Sequence, residues 1–213
     1  MDKKSLGNIF VLGDSYSAHS DFIPSGYRFY YSPQSERENA RIEVEEMWWS
    51  RLAEITGSKI ILAAGASGSA ISYTGWQGDD TAYSFIARFE RFVKEGFFDK
   101  NEIDTFILFG GTNDSWIPSP LGEVKHEDIT DDDKKCVLPA ICYLLGEIKK
   151  VLPNARVLVL ENDGIKDPII ETFDSEAARY GFEVIKLQNI QKELGHPTSE
   201  GMREIAEQIC EYI

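Results

Sequence analysis

The 213-residue chain has few cysteines, few histidines and no long apolar segment. Its three cysteines, Cys136, Cys142 and Cys210, are too few and too scattered for a disulfide framework. None of them stands at a zinc-ligand spacing from a histidine, so we expect free thiols and no metal. A transmembrane helix needs about 18 or more consecutive apolar residues, and the sequence contains no such run. A membrane partner is therefore not expected.

Positive charge is also scarce. The chain has 22 Lys and Arg against 36 Asp and Glu, which gives a formal net charge of -14 and a pI near 4.7. An acidic surface repels nucleic-acid phosphates and anionic lipid headgroups. We therefore expect neither nucleic acid nor a membrane surface as a partner.

Length and composition favour one globular domain. A hydrophobic fraction of 42% is enough for a substantial core, and the length fits one α/β domain over residues 1–213. Lys3 and Lys4 are not followed by an apolar segment of signal-peptide length, because a strand-like run begins at Asn8. This pattern predicts a cytoplasmic protein.

Apolar runs of strand length recur along the chain, and most are continuously apolar, as in strands covered on both faces. They occupy residues 9–12, 60–63, 106–109, 157–160 and 182–187. Apolar residues at helical spacing alternate with them, over residues 44–55, 85–93, 137–148, 168–180 and 202–209. This alternation predicts right-handed βαβ crossovers and a parallel sheet with helices on both faces.

Two longer connections interrupt this pattern. Residues 16–40, rich in Tyr and Pro, are interpreted as an ordered loop over the sheet. Residues 117–133 form an acidic insertion that is predicted to face solvent. His19 and His126 lie in these segments and are interpreted as incidental.

Polar segments follow four of the predicted strands, at the sheet edge where ligands bind in open parallel sheets. In chain order they are Gly13-Asp14-Ser15, Ala66-Ser67-Gly68-Ser69, Gly111-Thr112-Asn113-Asp114 and Glu193-Leu194-Gly195-His196-Pro197. A serine hydroxyl becomes a nucleophile when an imidazole accepts its proton. Backbone N–H groups at glycine turns and an Asn side chain can stabilise the oxyanion that forms. Taken singly, Ser15 could be a helix N-cap and Asn113 part of an Asx turn, but together these segments predict acyl transfer.

The four segments, in this order, resemble the sequence blocks of SGNH (GDSL-like) hydrolases, from residue 8 to about residue 205. The resemblance implies an α/β protein with the flavodoxin-like SGNH hydrolase fold, a three-layer αβα sandwich on a five-stranded parallel sheet. It implies a small-molecule ester substrate and neither a metal nor an organic cofactor. By matching position, Ser15 is the nucleophile and His196 the general acid and base. The N–H groups of Ser15 and Gly68 and the side chain of Asn113 would form the oxyanion hole.

One position departs from the family pattern. The family has Asp three residues before the histidine, and this chain has Glu193 there. Glu193 could orient the His196 ring despite its longer side chain. A backbone carbonyl or another acid such as Asp163 could do so instead, or a Ser–His dyad could suffice.

Aromatic residues directly follow the predicted catalytic turns. Tyr16 and Trp116 are interpreted as walls of the substrate site, although packing within the loops explains such residues as well. Small residues from Ala66 to Ala70 favour short, acetyl-like acyl groups, with carbohydrate esters among the candidate substrates. The predicted function is a serine-dependent carboxylic-ester hydrolase acting through an acyl-Ser15 intermediate. The alternatives are a non-catalytic sugar- or small-ligand-binding module on the same scaffold and an acyltransferase.

Overall fold

The computed structural model describes residues 5–213. Residues 1–4, which include Lys3 and Lys4 and belong to the predicted domain, lie outside the described residues. The strands of the described part are β1 (Asn8–Gly13), β2 (Lys59–Gly65), β3 (Thr74–Gly75), β4 (Gly78–Asp79), β5 (Thr105–Phe109), β6 (Arg156–Glu161), β7 (Glu183–Lys186), β8 (Lys192–Glu193) and β9 (His196–Pro197). The α-helices are α1 (Trp48–Thr56), α2 (Phe85–Lys94), α3 (Phe97–Lys100), α4 (Thr112–Trp116), α5 (Val137–Val151), α6 (Asp167–Tyr180) and α7 (Ser199–Tyr212).

Five strands form one sheet in the order β2-β1-β5-β6-β7, and every neighbouring pair is parallel. The predicted five-stranded parallel sheet is therefore confirmed. Gly13 at the end of β1 pairs with Gly65 of β2 and Phe109 of β5, so these three strands end side by side. After β1 the chain forms β2 on one side of it, and the later strands β5, β6 and β7 extend the sheet on the other side. The end of β1 is therefore the switch point at which such sheets bind ligands.

Alternate residues of β1 pack against opposite helix layers. Ile9 and Val11 belong to a cluster with residues of α1 and α7. Phe10 and Leu12 belong to a second cluster with residues of α2, α5 and α6. All four side chains are fully buried, which explains why the strand is apolar without alternation. The predicted three-layer αβα sandwich is confirmed.

The helix predicted over residues 44–55 begins later than expected. Residues Val44–Glu46 form a 3-10 turn closed by a capping box between Glu43 and Glu46, and Met47 is extended with ψ of 142°. The regular helix α1 therefore starts at Trp48, and Gly57 ends it in the left-handed region at φ of 65°. No helix of residues 5–213 has the length and apolar character that crossing a membrane requires.

Candidate active site

The first strand brings Ser15 to the carboxyl edge of the sheet. β1 ends at Gly13, and Ser15–Ser17 form one 3-10 turn. The Asp14 carboxylate caps this turn by accepting a backbone N–H at 3.0 Å. A Cβ at Gly13 would lie 2.3 Å from the Ser17 hydroxyl oxygen, so the turn needs glycine there. Because Asp14 caps the turn, the Ser15 hydroxyl remains available to another partner.

A tight hairpin brings His196 to this hydroxyl. β8 and β9 pair on either side of Leu194 and Gly195, which have φ of 49° and 78°. Positive φ at both central residues is typical of a type I′ turn. The His196 Nε2 atom lies 3.1 Å from Ser15 Oγ, and its Nδ1 atom lies 3.2 Å from the Leu194 carbonyl oxygen. When Nδ1–H donates to that carbonyl, Nε2 carries the lone pair that can accept the serine proton.

Three tyrosines hold the imidazole and its backbone. The Tyr30 ring stacks on the His196 ring with centroids 3.7 Å apart and an interplanar angle of 3°. The Tyr16 hydroxyl donates to the Gly195 carbonyl at 2.5 Å. The Tyr31 hydroxyl donates to the Pro197 carbonyl at 2.8 Å. Burial raises the pKa of Tyr16 and of Tyr31, so both hydroxyls keep the protons that they donate. The backbone is thus held before and after His196, and one face of the imidazole ring packs on Tyr30.

The two aromatic residues expected as substrate walls have different positions. Tyr16 is 1% exposed, because it packs beneath the histidine loop and not at the surface. Tyr16 supports His196 through the hydrogen bond to the Gly195 carbonyl, and a substrate contact for Tyr16 stays a prediction. Trp116 is 44% exposed, and its ring centroid lies 6.3 Å from that of His196. A substrate contact for Trp116 stays a prediction.

Neither candidate acid is a hydrogen-bond partner of the His196 ring among residues 5–213. Glu193 is exposed, and its backbone carbonyl accepts a hydrogen bond from the Asn39 amide at 3.1 Å. The carboxylate of Asp163 pairs with Lys192. Among residues 5–213, the one hydrogen-bond partner of the His196 Nδ1 atom is a backbone carbonyl.

The surroundings of His196 favour its neutral form. Burial lowers the pKa of the imidazole below its usual value, and the positive charge of Arg37 acts in the same direction. The hydrogen bond to the Leu194 carbonyl opposes this shift. At neutral pH the ring is therefore a base that can accept a proton.

Asn113 enters the site from the third polar segment. Gly111 has φ of 89° and caps α4, so Asn113 lies in the first turn of that helix and is 4% exposed. Its Nδ2 atom donates to the Ser69 carbonyl at 3.0 Å, beside Gly68 with φ of 77°. An amide nitrogen has two hydrogens, so a second N–H remains for a ligand.

Asp114 joins the two loops that carry the candidate oxyanion donors. Its carboxylate accepts hydrogen bonds from the backbone N–H groups of Ile71 and Ser72, at 2.8 and 3.1 Å, and from the Ser72 hydroxyl at 2.9 Å. These hydrogen bonds connect the segment after β5 to the segment after β2. Asn113-Asp114 is therefore more than a local Asx turn. The Gly68 loop is thereby fixed relative to α4.

Trp76, which lies between β3 and β4, contacts Asn113 in a way that was not predicted from the sequence. Its indole Nε1 donates to Asn113 Oδ1 at 2.9 Å. A Cβ at Gly68 would lie 3.6 Å from Trp76 Cδ1, so the indole lies over both candidate oxyanion donors. Because the indole can only donate, this bond identifies the amide oxygen and directs Nδ2 away from Trp76. The only signal in the sequence was an aromatic residue shortly after the Gly68 segment.

A buried arginine supports the turn beneath Ser15. The Arg88 guanidinium donates to the carbonyls of Gly13, Ala64 and Tyr83 and is fully buried. Burial lowers the pKa of Arg88 to about 10, which leaves it charged at neutral pH. Burial also raises the pKa of Asp14 to about 7, while the capping N–H and the Arg88 charge act in the opposite direction. Arg88 thus joins the ends of β1 and β2 through their carbonyls.

A small polar cavity of about 180 Å³ adjoins Trp76. Arg28, Gln77, Asp79 and Asp80 complete its lining, and Arg28 pairs with Asp80 at 2.6 Å. A larger open groove of about 830 Å³ lies between β7 and α7, and it is lined by none of the candidate site residues. We therefore associate the smaller cavity with the site.

Known proteins with similar sequences or folds identify the family. The GDSL-like Lipase/Acylhydrolase family matches residues 7–213. A crystal structure assigned as a GDSL-like lipase from Bacteroides uniformis is 32% identical, with a TM-score of 0.88 and coverage of 97% of this chain and 95% of that chain. A second, from Bacteroides ovatus, is 31% identical, with a TM-score of 0.88 and coverage of 98% of each chain. A carbohydrate acetylesterase from Sinorhizobium meliloti shares the fold at 16% identity, a TM-score of 0.57 and coverage of 97% of each chain. No curated protein sequence matches significantly.

The family match includes all four strand ends that carry the candidate site. The two lipase-like structures exceed 30% identity over nearly the full length of both chains. The expected SGNH hydrolase fold is confirmed by these structures. The chain therefore belongs to the GDSL-like lipase/acylhydrolase family and is a hydrolase of the esterase type, with small-molecule esters as its substrates.

Proposed function

We propose that this single-domain chain is a serine-dependent carboxylic-ester hydrolase that acts through an acyl-Ser15 intermediate. The observation that carries the proposal is the 3.1 Å contact between Ser15 Oγ and His196 Nε2, at the switch point of the sheet. A neutral imidazole at this distance can remove the serine proton as the hydroxyl attacks. The cytoplasmic location expected from the N-terminal sequence stays a prediction.

In the first half-reaction, Ser15 Oγ bonds to the ester carbonyl carbon while its proton moves to His196 Nε2. The carbonyl oxygen becomes an oxyanion, which accepts hydrogen bonds from the N–H groups of Ser15 and Gly68 and from Nδ2 of Asn113. The ester C–O bond then breaks, and His196 returns the proton to the departing alcohol oxygen. The products are the free alcohol and acyl-Ser15.

In the second half-reaction, water replaces the alcohol. His196 removes a proton from the water as its oxygen attacks the acyl carbon. The same donors stabilise the second oxyanion. Collapse breaks the bond to Ser15 Oγ, which recovers its proton from His196, and the carboxylic acid leaves.

We propose that the Leu194 carbonyl orients His196, so that the catalytic unit is a Ser–His dyad with a backbone acceptor. A carbonyl at Nδ1 selects the same tautomer as a carboxylate would, although it carries no full negative charge. The stacked Tyr30 ring and the two buried tyrosine hydroxyls limit ring motion, which reduces the need for a second carboxylate contact.

Glu193→Gln is expected to leave kcat/KM within about threefold of the wild-type value, because the side chain is exposed. Loss of an orienting carboxylate in a serine triad costs about 10⁴-fold in kcat. Steady-state hydrolysis of p-nitrophenyl acetate by Glu193→Gln and by Asp163→Asn distinguishes the two arrangements. A loss above about 100-fold in either variant, with the fold retained, would mean that this acid, and not the Leu194 carbonyl, orients His196.

We propose a short acyl group and a polar, neutral alcohol such as a sugar. Ala66 and Ala70 are buried beside the candidate oxyanion donors. Their methyl side chains give a long acyl group little apolar surface to contact. The cavity next to Trp76 combines an aromatic ring with planar polar side chains, which suit a hydroxylated ring. The similar fold of a carbohydrate acetylesterase supports this substrate class.

Hydrolysis of p-nitrophenyl acetate, butyrate and octanoate tests the acyl length. We expect kcat/KM to fall by at least about tenfold from acetate to octanoate, because an acyl site as short as the one proposed would reject the added methylenes. Stoichiometric labelling by a fluorophosphonate, read by mass spectrometry, tests the nucleophile in the same preparation. Folded wild-type protein that is inert and unlabelled would support a non-catalytic sugar-binding module instead. Acyl transfer to an added sugar in preference to water would indicate an acyltransferase.

A further inference from the structure

Three potential metal ligands meet at the packed pair α5 and α6, outside the residues that carry the esterase chemistry. Cys142 lies on α5, Glu176 lies on α6, and His126 lies in the insertion over residues 117–133. One potential ligand atom of each residue lies within 4.8 Å of those of the other two. The closest contact joins His126 Nε2 and Glu176 Oε1 at 2.7 Å.

The Glu176 carboxylate is incompletely satisfied. The residue is 3% exposed, and its Oε2 atom is buried with no hydrogen-bond partner among residues 5–213. A buried, unpaired carboxylate oxygen is unfavourable, because it loses hydration without a replacement. Cys142, also 3% exposed, contributes a thiol to the same cluster. These groups have more acceptor capacity than the surrounding protein satisfies.

The ligand chemistry suits a zinc ion. Thiolate, imidazole and carboxylate are all zinc ligands, whereas a thiolate disfavours magnesium and calcium. A thiolate and a carboxylate together carry two negative charges, so Zn²⁺ makes the set neutral.

We propose that His126, Cys142 and Glu176 bind one Zn²⁺ ion, which joins the 117–133 insertion to α5 and α6. Binding forms a Zn–S bond as the Cys142 thiol loses its proton to solvent. The His126 side chain is 34% exposed, so the ion can enter from its side and keep a water as the fourth ligand. The insertion directly follows α4, the helix of Asn113 and Trp116, and the ion would fix the insertion to the α5–α6 pair.

The test uses tag-free, full-length protein stripped with a chelator. We expect one equivalent of Zn²⁺ to bind in competition with a chromophoric chelator, and Co²⁺ to give a sulfur-to-metal band in the near ultraviolet. Cys142→Ser should lose the band, whereas Cys136→Ser, the matched control thiol, should keep it. Glu176→Gln and His126→Asn should each weaken Zn²⁺ binding by at least about tenfold.

The melting temperature gives a second readout, because a ligand that binds only the folded chain stabilises it. Zn²⁺ should raise the melting temperature of the wild type and of Cys136→Ser but not that of His126→Asn, each compared with its own metal-free form. Absence of the Co²⁺ band in the wild type, or equal Zn²⁺ binding by the wild type and His126→Asn, would overturn the proposal. Neither measurement depends on esterase activity.

Discussion

Ser15→Ala is expected to lower kcat/KM for p-nitrophenyl acetate by about 10³-fold or more, which corresponds to about 4 kcal/mol of transition-state stabilisation. The reason is chemical: without Oγ no acyl-enzyme forms, and the residual rate comes from water attack at the donors that remain. Steady-state hydrolysis by equally folded wild-type and variant protein measures the effect. Fluorophosphonate labelling should disappear in the same variant.

The fold of Ser15→Ala should be unchanged, because Asp14 rather than Ser15 caps the turn after β1. His196→Ala provides the matched comparison. Residues that act as one unit are not additive, so the double variant should be no slower than the slower single variant. If Ser15→Ala kept more than about a tenth of the wild-type rate, another nucleophile would have to be sought.

The sequence predicted the sheet well because its strands are buried on both faces. A strand such as β1 can satisfy two helix layers only if successive residues are all apolar, which leaves a pattern that is visible without coordinates. The start of α1 was less predictable, since Val44 lies on the same apolar stripe although Met47 is extended. Periodicity reports which face is buried, and it does not report where the backbone interrupts the helix.

The candidate site was predictable in its positions but not in its contacts. Strand ends in a parallel sheet converge by topology, so Ser15 and Asn113 could be assigned to one edge from the chain order alone. The environment of His196 depends instead on Leu194, which adopts a left-handed conformation and is 79% exposed. That conformation costs a residue with a side chain about 1–2 kcal/mol, and nothing in the residue type indicates it. The sequence therefore left the Glu193 carboxylate and a backbone carbonyl as alternatives for orienting His196.

Contacts between distant segments were the least predictable feature. The Tyr16 hydroxyl meets the carbonyl of Gly195, and Trp76 meets Asn113, through packing that no local pattern encodes. The His126, Cys142 and Glu176 cluster is of the same kind, because its members lie on three separate segments. Short zinc motifs place at least two ligands on one turn or loop, and here each ligand is alone on its element.

Asn113→Ala is expected to lower kcat for p-nitrophenyl acetate by about 10²- to 10³-fold, with a much smaller change in KM. An oxyanion donor acts mainly on charge that develops in the transition state, so its loss appears in kcat. The variant also removes the hydrogen bond to the Ser69 carbonyl, at a stability cost of about 1–3 kcal/mol that thermal unfolding would detect. An equal rise in KM without a fall in kcat would assign Asn113 to ground-state binding instead.

Substitution of Trp76 tests whether the indole acts through the Asn113 amide. Trp76→Phe removes the indole N–H that fixes the Asn113 amide, so kcat should fall by about tenfold while KM changes little. In an Asn113→Ala background the same change should have almost no further effect on kcat, because the amide that Trp76 orients is gone. Trp116→Phe is the matched control: the ring lies near His196 and makes no described hydrogen bond to Asn113, so its effect should be the same in both backgrounds. If the effects of Trp76→Phe and Asn113→Ala on kcat were additive, the indole would act on the substrate directly. Its hydrogen bond to Asn113 would then contribute to packing and not to catalysis.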